Sequence, residues 1–298
     1  MSNMISDISG IRIDQYLTSK LGFTRSKIEK MLKEGYVKVN GNIVKKSYIL
    51  NLKDEISIDE YIEGEMSAEP INMNLDIIYE DDDVIIVNKT NGLVVHPAPG
   101  NYSNTLVNGL MYHSKKLSSI NGEFRPGIVH RIDAYTTGLL MVAKNNKTHL
   151  ALAKQLESKT TTRKYIALVW GVIKENSGTI DAPIGRDKKD RKKMCVTDIN
   201  SKEAITNFKV LERFKNASLI ELSLKTGRTH QIRVHMDYIG HPVVNDPVYG
   251  RRKLIDDSGQ CLHAKTLGFV HPTLNKYMEF DSELPACFTN ILEKFKEE

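Results

Sequence analysis

Ile13, Tyr16, Leu17 and Leu21 lie three and four residues apart, the spacing that lines up apolar side chains on one helix face. A second helix is predicted directly after it. Ser26-x-x-Glu29 has the form of a capping box, and Ile28, Met31 and Leu32 would face inward. Gly35 should end that helix. Tyr36-Val37-Lys38-Val39-Asn40-Gly41 then reads as a strand running into a tight turn. Residues 63–70, EGEMSAEP, are acidic and small and end in proline, so they read as a linker. From about Asp76 the pattern changes. Val84-Ile85-Ile86-Val87 is a buried strand leading into Asn88-Lys89, and Leu139–Val142 and Tyr165–Val169 look like further strands. Ile220, Leu222 and Leu224 alternate, which predicts a strand with one buried face. Helices are predicted over 148–158, over 228–239 with Ile232, Met236 and Ile239 inward, and over Phe288–Lys296. Strands dominate, with helices between them. The fold class is therefore α+β, with a mixed or antiparallel central sheet in a domain spanning 76–298, a small α+β module over 1–62, and a linker at 63–75.

Charge sharpens the reading of the first module. Between Lys20 and Lys53 there are nine lysines and arginines against two acids, Glu29 and Glu34. Two short helices, a hairpin and a basic surface in about 50 residues suit an RNA-binding module; a solvated helix face is the alternative. The whole chain is 298 residues long with a formal net charge of +5, which is compatible with nucleic acid without requiring it. Cys195, Cys261 and Cys287 are far apart, odd in number and without a Cys-x-x-Cys pair, so reduced thiols in a cytoplasmic protein are expected. The N-terminal MSNMISDISG lacks the basic-then-apolar pattern of a signal peptide. No apolar run approaches the roughly 18–20 residues of a membrane span, so no membrane partner is expected.

The candidate chemistry sits in three segments: GIVHRIDAYTTGLLMVAK at 127–144, TRKYIALVWG at 162–171 and TGRTHQIRVH at 226–235. Asp133 lies in a turn before an apolar strand, with Arg131 two residues earlier and Thr136-Thr137-Gly138 just after. Most aspartates in such turns only make local hydrogen bonds. Tyr165 opens an apolar strand and reads either as a core aromatic or as a phenol facing a cleft. His230, Arg233 and Asp237 fall at i, i+3 and i+7, one face of the predicted helix. A half-buried Arg233 needs a carboxylate, and Asp133 is a candidate; a contact within the helix is the alternative. Together these segments supply an acid, a phenol and a guanidinium. His230 and His235 are five apart, not the four that puts two metal ligands on one helix face, and no acidic or thiol cluster joins them. No Walker loop or GxGxxG is present, so neither a metal nor a nucleotide cofactor is expected. The run Gly185–Lys193 packs six cations with two acids and reads as a solvated loop or a phosphate-contacting arm.

Two resemblances build on these motifs. IRIDQYLTSKLGFTRSKIEKMLKEGYVKVNG is similar to the alpha-L RNA-binding module of a small-subunit ribosomal protein and of tyrosyl-tRNA synthetases. The likeness rests on Arg12, Asp14, Leu17, Arg25-Ser26, Gly35 and the Val37-x-Val39-Asn40-Gly41 ending. The three chemical segments, with NKTNGLVVHPAPG at 88–100, PIGRDKKDRKKMCV at 183–196, the continuation MDYIGHPVVNDPVYG to 250 and LHAKTLGFVHP at 262–272, resemble in order the RluA/RluC/RluD family of RNA pseudouridine synthases. An alpha-L module ahead of such a domain is similar to the branch that modifies large-subunit (23S) ribosomal RNA. The family often has a charged pair after the aspartate; here Ala134 and Tyr135 stand there.

The resemblance implies a pseudouridine synthase fold and a cofactor-free isomerisation of uridine in RNA. Asp133 would be the nucleophile, either adding to the anomeric carbon or assisting elimination. Tyr165 would stack on the base and help remove its carbon-5 proton, and Arg233 would pair with Asp133. Arg131 would fill the space of the extruded uridine. The RNA contacts expected are Arg131, His130, Arg228, His230, Arg186 and Arg191 in the large domain, and Arg12, Arg25, Lys27 and Lys30 in the small one. A monomer is expected. The rival readings are a non-catalytic RNA-binding ribosome-assembly factor of the same fold, and a nucleoside hydrolase, which would call for a second carboxylate acting on water.

Overall fold

A short strand that the pattern does not predict, β1 (Ser2–Ile5), precedes the two expected helices α1 (Ile13–Leu21) and α2 (Arg25–Lys33). The structure is a computed structural model that describes residues 2–21, 23, 25–59, 69–98, 100–122, 124–190 and 193–297; the side chains of Ser2, Ser26 and Lys27 also lie outside the described set, as does Arg191. Helix α2 begins at Arg25, one residue before Ser26, and the expected capping box rests on a Ser26 side chain outside the described residues. Glu29 is engaged elsewhere: its carboxylate meets Arg25 at 3.4 Å and Lys46 at 2.9 Å. Gly35 ends the helix as expected, with φ +82° and the Tyr36 N–H on the Met31 carbonyl. Strands β2 (Val37–Val39) and β3 (Asn42–Ile43) are joined by Asn40 and Gly41, both at positive φ. Strand β4 (Glu55–Ile58) completes a sheet of order β1-β4-β2-β3. Ile13, Leu17, Ile28, Met31, Leu32, Val37 and Ile56 form its core against the helices.

The chain divides into two compact units, Met1–Glu65 and Met66–Glu298. Residues 60–68, which hold the first part of the expected linker, lie outside the described residues. The following stretch is packed rather than free: Asn108 donates to the Glu69 carbonyl, and Ile71 donates to that of Asn108.

The second unit runs β5 (Asp76–Glu80), β6 (Val84–Lys89), α3 (Leu106–His113), β7 (Thr137–Ala143), α4 (Asn146–Glu157) and β8 (Thr162–Trp170). It continues with β9 (Ser177–Asp181), β10 (Ile184–Arg186), β11 (Met194–Val196), β12 (Ile205–Arg213), β13 (Ala217–Leu224), α5 (Gln231–Tyr238), β14 (Leu262–Val270), β15 (Tyr277–Asp281) and α6 (Ala286–Lys296). The main sheet has the order β5-β6-β7-β14-β8-β13-β12-β9, with β15 on β14, and β10 and β11 form a separate hairpin. It is mixed: β7 and β14 are parallel, and the other pairs are antiparallel. Helices α3 and α5 pack one face through Leu106, Leu110, Ile232 and Met236. Helices α4 and α6 cover the other through Leu152, Phe288, Ile291 and Phe295.

The middle of this sheet sets the geometry of the cleft. Ala264 of β14 is in register with Tyr165 of β8 on one side and Gly138 of β7 on the other. Two strand spacings, roughly 10 Å, therefore separate the tyrosine's backbone from the start of β7. At Gly138 a Cβ would lie 2.3 Å from the Ala264 carbonyl oxygen, and φ is +107°, so only glycine lets the strands approach there.

Candidate active site

Asp133 closes a turn whose Thr136 N–H donates back to the Asp133 carbonyl at 3.1 Å. The turn is pinned on three sides. Gln260 donates to Thr136 Oγ1, and Thr137 Oγ1 meets His263 Nδ1 at 2.8 Å. Lys89, 1% exposed, donates from Nζ to the carbonyls of Thr90 and Ala134. Burial pulls the Lys89 ammonium down to about 7, with the Asp133 charge working against it. His130 is fastened to the core: its Nε2 accepts the Met141 N–H, and burial, aided by the Arg163 charge, lowers it to about 3. It is therefore a neutral ring whose acceptor nitrogen is already used. Arg131 points outward and donates to His96 Nε2 at 3.4 Å, the other ring nitrogen of which is at the Pro97 carbonyl.

Helix α5 starts at Gln231, three residues later than the periodicity predicts. The Gln231 side chain explains the delay. Its oxygen accepts from Thr226 Oγ1 and the Arg228 N–H, and its amide donates to Ile205 and Thr206, so the loop 226–230 is tied down as a loop. His230 consequently lies outside the helix, in the left-handed region at φ 56°, and does not share a helix face with Arg233 and Asp237. Asp237 pairs with Arg251 instead.

Arg233 is the hinge of the site. Its Nε and Nη2 grip Asp246 at 2.7 and 2.9 Å, and its Nη1 donates to Asp133 Oδ2 at 2.9 Å. Asp246 is fully buried and also accepts the N–H groups of Val248 and Tyr249. Burial alone would raise the Asp246 pKa and lower that of Arg233; the pairing outweighs it and moves both the other way, so both are charged. The Arg233 guanidinium also lies 5.0 Å from the Tyr249 ring centre.

Tyr165 is buried, and its hydroxyl has no hydrogen-bond partner among the described residues. Burial raises its pKa above the ordinary 10; nearby Arg163 opposes the shift and Asp133 adds to it. Asp133, Tyr165 and Arg233 line one cleft of about 370 Å³, with His130, Arg131, Arg163, Arg228 and His230 around it. That is within the roughly 300–1,000 Å³ of small-ligand pockets. Among the described residues no three His, Cys, Asp or Glu side chains gather as a metal site.

The other expected RNA contacts are spread more widely. Arg228 Nε donates to the Glu203 carbonyl, and Arg186, itself exposed, ends β10. In the first unit, Arg12 and Arg25 both reach the buried Asp14 at 2.9 Å while remaining part-exposed, so they also brace the fold. Lys30 lies on α2.

Four residues of the site escaped the sequence reading: Lys89, Arg163, Asp246 and Tyr249. Arg163 was within reach of it, since a residue two before Tyr165 on a strand shares its face. Its Nε is buried with no partner among the described residues. Asp246 carries no local signal beyond an Asn-Asp-Pro turn.

Comparison with known proteins fits this geometry. A family model described as RNA pseudouridylate synthase matches residues 83–238, and an S4 domain model matches 11–56. The Bacillus subtilis protein named uncharacterized RNA pseudouridine synthase YlyB is 53% identical over 288 residues, 96% of this chain and 94% of that protein. Ribosomal large subunit pseudouridine synthase D of Zymomonas mobilis is 41% identical over 295 residues, 95% and 93% of the two chains. Among solved structures, human RNA pseudouridylate synthase domain containing 1 superposes with a TM-score of 0.60 at 27% identity, over 78% of this chain and 97% of that one.

Proposed function

Because this chain belongs to the RNA pseudouridine synthase family, we propose that it isomerises uridine to pseudouridine in large-subunit ribosomal RNA, with Asp133, Tyr165 and Arg233 as its catalytic residues. The observation that carries the assignment is the charged pair in the cleft. Arg233 is clamped by Asp246 through Nε and Nη2, and its Nη1 holds Asp133 Oδ2 at 2.9 Å beside Tyr165.

The chemistry follows from these parts. A uridine leaves its stack and enters the cleft. The Asp133 carboxylate meets the ribose as the bond from C1′ to N1 breaks, either adding to C1′ or assisting elimination; in both, a fixed negative charge offsets the positive charge developing on the sugar. The freed uracil turns and C5 joins C1′, displacing the Asp133 carboxylate on the addition route, or with return of the C2′ proton on the elimination route. C5 then loses its proton and N1 gains one, so the product is an isomer and no electrons are exchanged. Tyr165 stacks on the base and assists removal of the C5 proton, its oxygen having no hydrogen-bond partner among the described residues. Arg233 pairs with the Asp133 carboxylate and keeps it aimed. The ribosomal substrate is supported by the relatives named for the large subunit and by the basic first unit. The protein acts as a cytoplasmic monomer on this reading.

The test uses large-subunit ribosomal RNA transcribed with tritium at uridine C5. Release of tritium to water by the purified protein is expected, with a transfer RNA transcript as comparison. Release from the transfer RNA alone would overturn the substrate assignment.

A further inference from the structure

Arg233 occupies only one oxygen of Asp133; the other, Oδ1, faces His230 Nε2 at 3.8 Å. His230 is itself held from behind. Its Nδ1 lies 2.8 Å from the Tyr249 hydroxyl, and that oxygen accepts the Met194 N–H at 2.9 Å. With a backbone N–H already aimed at the phenol oxygen, the phenol proton goes to Nδ1; the other tautomer would crowd two N–H groups on that oxygen and leave its own proton without an acceptor. Burial lowers the His230 pKa below the ordinary 6.5, against the pull of Asp133, so the ring is neutral. Its one proton is then on Nε2, the nitrogen facing Asp133. The left-handed backbone at His230 turns the ring toward Asp133, and the Tyr249 ring stands nearly edge-on to it at 5.6 Å.

We propose that His230 is a positioning residue for the reaction, donating from Nε2 to Asp133 Oδ1 while Tyr249 fixes its tautomer and angle. Held at both oxygens, the carboxylate meets the ribose in one orientation. The inference rests on Asp133 being the reacting carboxylate. The distance of 3.8 Å is that of an open site, and such contacts tighten when the substrate is bound.

The test measures single-turnover rate at saturating RNA, and RNA affinity, on a large-subunit ribosomal RNA transcript that the wild-type protein converts. The variants are His230→Asn, His230→Gln and Tyr249→Phe, each first shown to be folded by thermal unfolding. Asn tolerates the left-handed conformation well but is too short to reach Asp133; Gln reaches further and can donate. His230→Asn and Tyr249→Phe should slow the reaction by about 10- to 100-fold, the rate equivalent of one hydrogen bond to a charged group. Affinity should stay within about twofold, because the lost contact acts after binding. His230→Gln should recover part of the rate. If Asn is as fast as His, or Gln as slow as Asn, or the loss appears in affinity alone, the proposal fails. Tyr249→Phe keeps the ring and volume, so it decides the matter should the His230 variants not fold. Asp133→Asn is run alongside. Turnover by that variant would overturn the catalytic reading itself, whereas a dead Asp133→Asn beside a fully active His230→Asn would overturn only this inference.

Discussion

Arg233 and Asp133 are a hundred residues apart in sequence and 2.9 Å apart in the cleft. Because Asp246 holds the rest of the guanidinium, Arg233 presents a fixed N–H to Asp133 rather than following it. The pair therefore acts as a preorganised charge site, and its parts can be tested one by one.

Asp133→Asn should abolish pseudouridine formation while leaving the fold and most RNA affinity intact. Only an ionised carboxylate can act as nucleophile or charge stabiliser at the sugar. The check is tritium release by the purified variant beside its thermal unfolding curve; clear turnover removes Asp133 from its role.

Tyr165→Phe should reduce the single-turnover rate far more than it weakens binding. The ring still stacks, and the hydroxyl has no hydrogen bond among the described residues to lose. Equal rates for Phe and Tyr would make the phenol purely structural.

Asp246→Leu should destabilise the protein by about 3–5 kcal/mol, because it leaves the Arg233 cation buried without its main partner. Adding Arg233→Met should restore much of that stability and none of the activity. Chemical denaturation of the single and double variants checks this. A double variant no more stable than the single one would mean that the cost lies in the Val248 and Tyr249 N–H groups that Asp246 also accepts.

Lys89 makes stability depend on pH. Its folded pKa is lowered to about 7 from the ordinary 10.5, so between those values the unfolded chain binds a proton that the folded protein does not. Stability therefore gains up to about 1.4 kcal/mol per pH unit from this group as pH rises through that window, and Lys89 disfavours the fold below it. Denaturation of the wild type and Lys89→Met at pH 7 and 9 isolates the contribution. The wild type should gain relative to the variant, and equal changes would show that Lys89 stays charged.

Removing residues 1–62 should weaken RNA binding and flatten its salt dependence without ending the chemistry, since among the described residues those lining the cleft belong to the second unit. Each lost phosphate contact lowers the slope of log affinity against log salt by about 0.7–0.9. An unchanged slope in a salt titration would make the basic stretch a solvated face. Loss of all turnover at saturating RNA, in a truncated protein shown to be folded, would mean that the first unit helps build the site.

Local chemistry was enough for much of this protein. Apolar spacing located α1, and alternation the strand around Ile220, because each buries a face whose period is set by its own backbone; continuous apolar runs located the strands around Val84, Leu139 and Tyr165, which the sheet buries on both faces. Gly35 and Asn40-Gly41 marked their turns, because few other residues tolerate positive φ there. Asp133, Tyr165 and Arg233 stand out only through the family resemblance of the motifs that hold them; taken alone, a turn aspartate and a strand tyrosine read as structural. What the tertiary structure alone decided is which distant groups meet. Strand β1 is two alternations long at most and pairs with β4 some 50 residues on, so nothing local announces it. Helix α5 starts late because Gln231 finds partners on β12, a contact invisible to periodicity. That delay puts His230 into a left-handed turn facing Asp133, instead of on a helix face with Arg233. Asp246, Tyr249 and Lys89 join the site for the same reason. A buried charge or hydroxyl needs a partner, but which one it takes depends on the sheet that carries β7, β14 and β8 past one another.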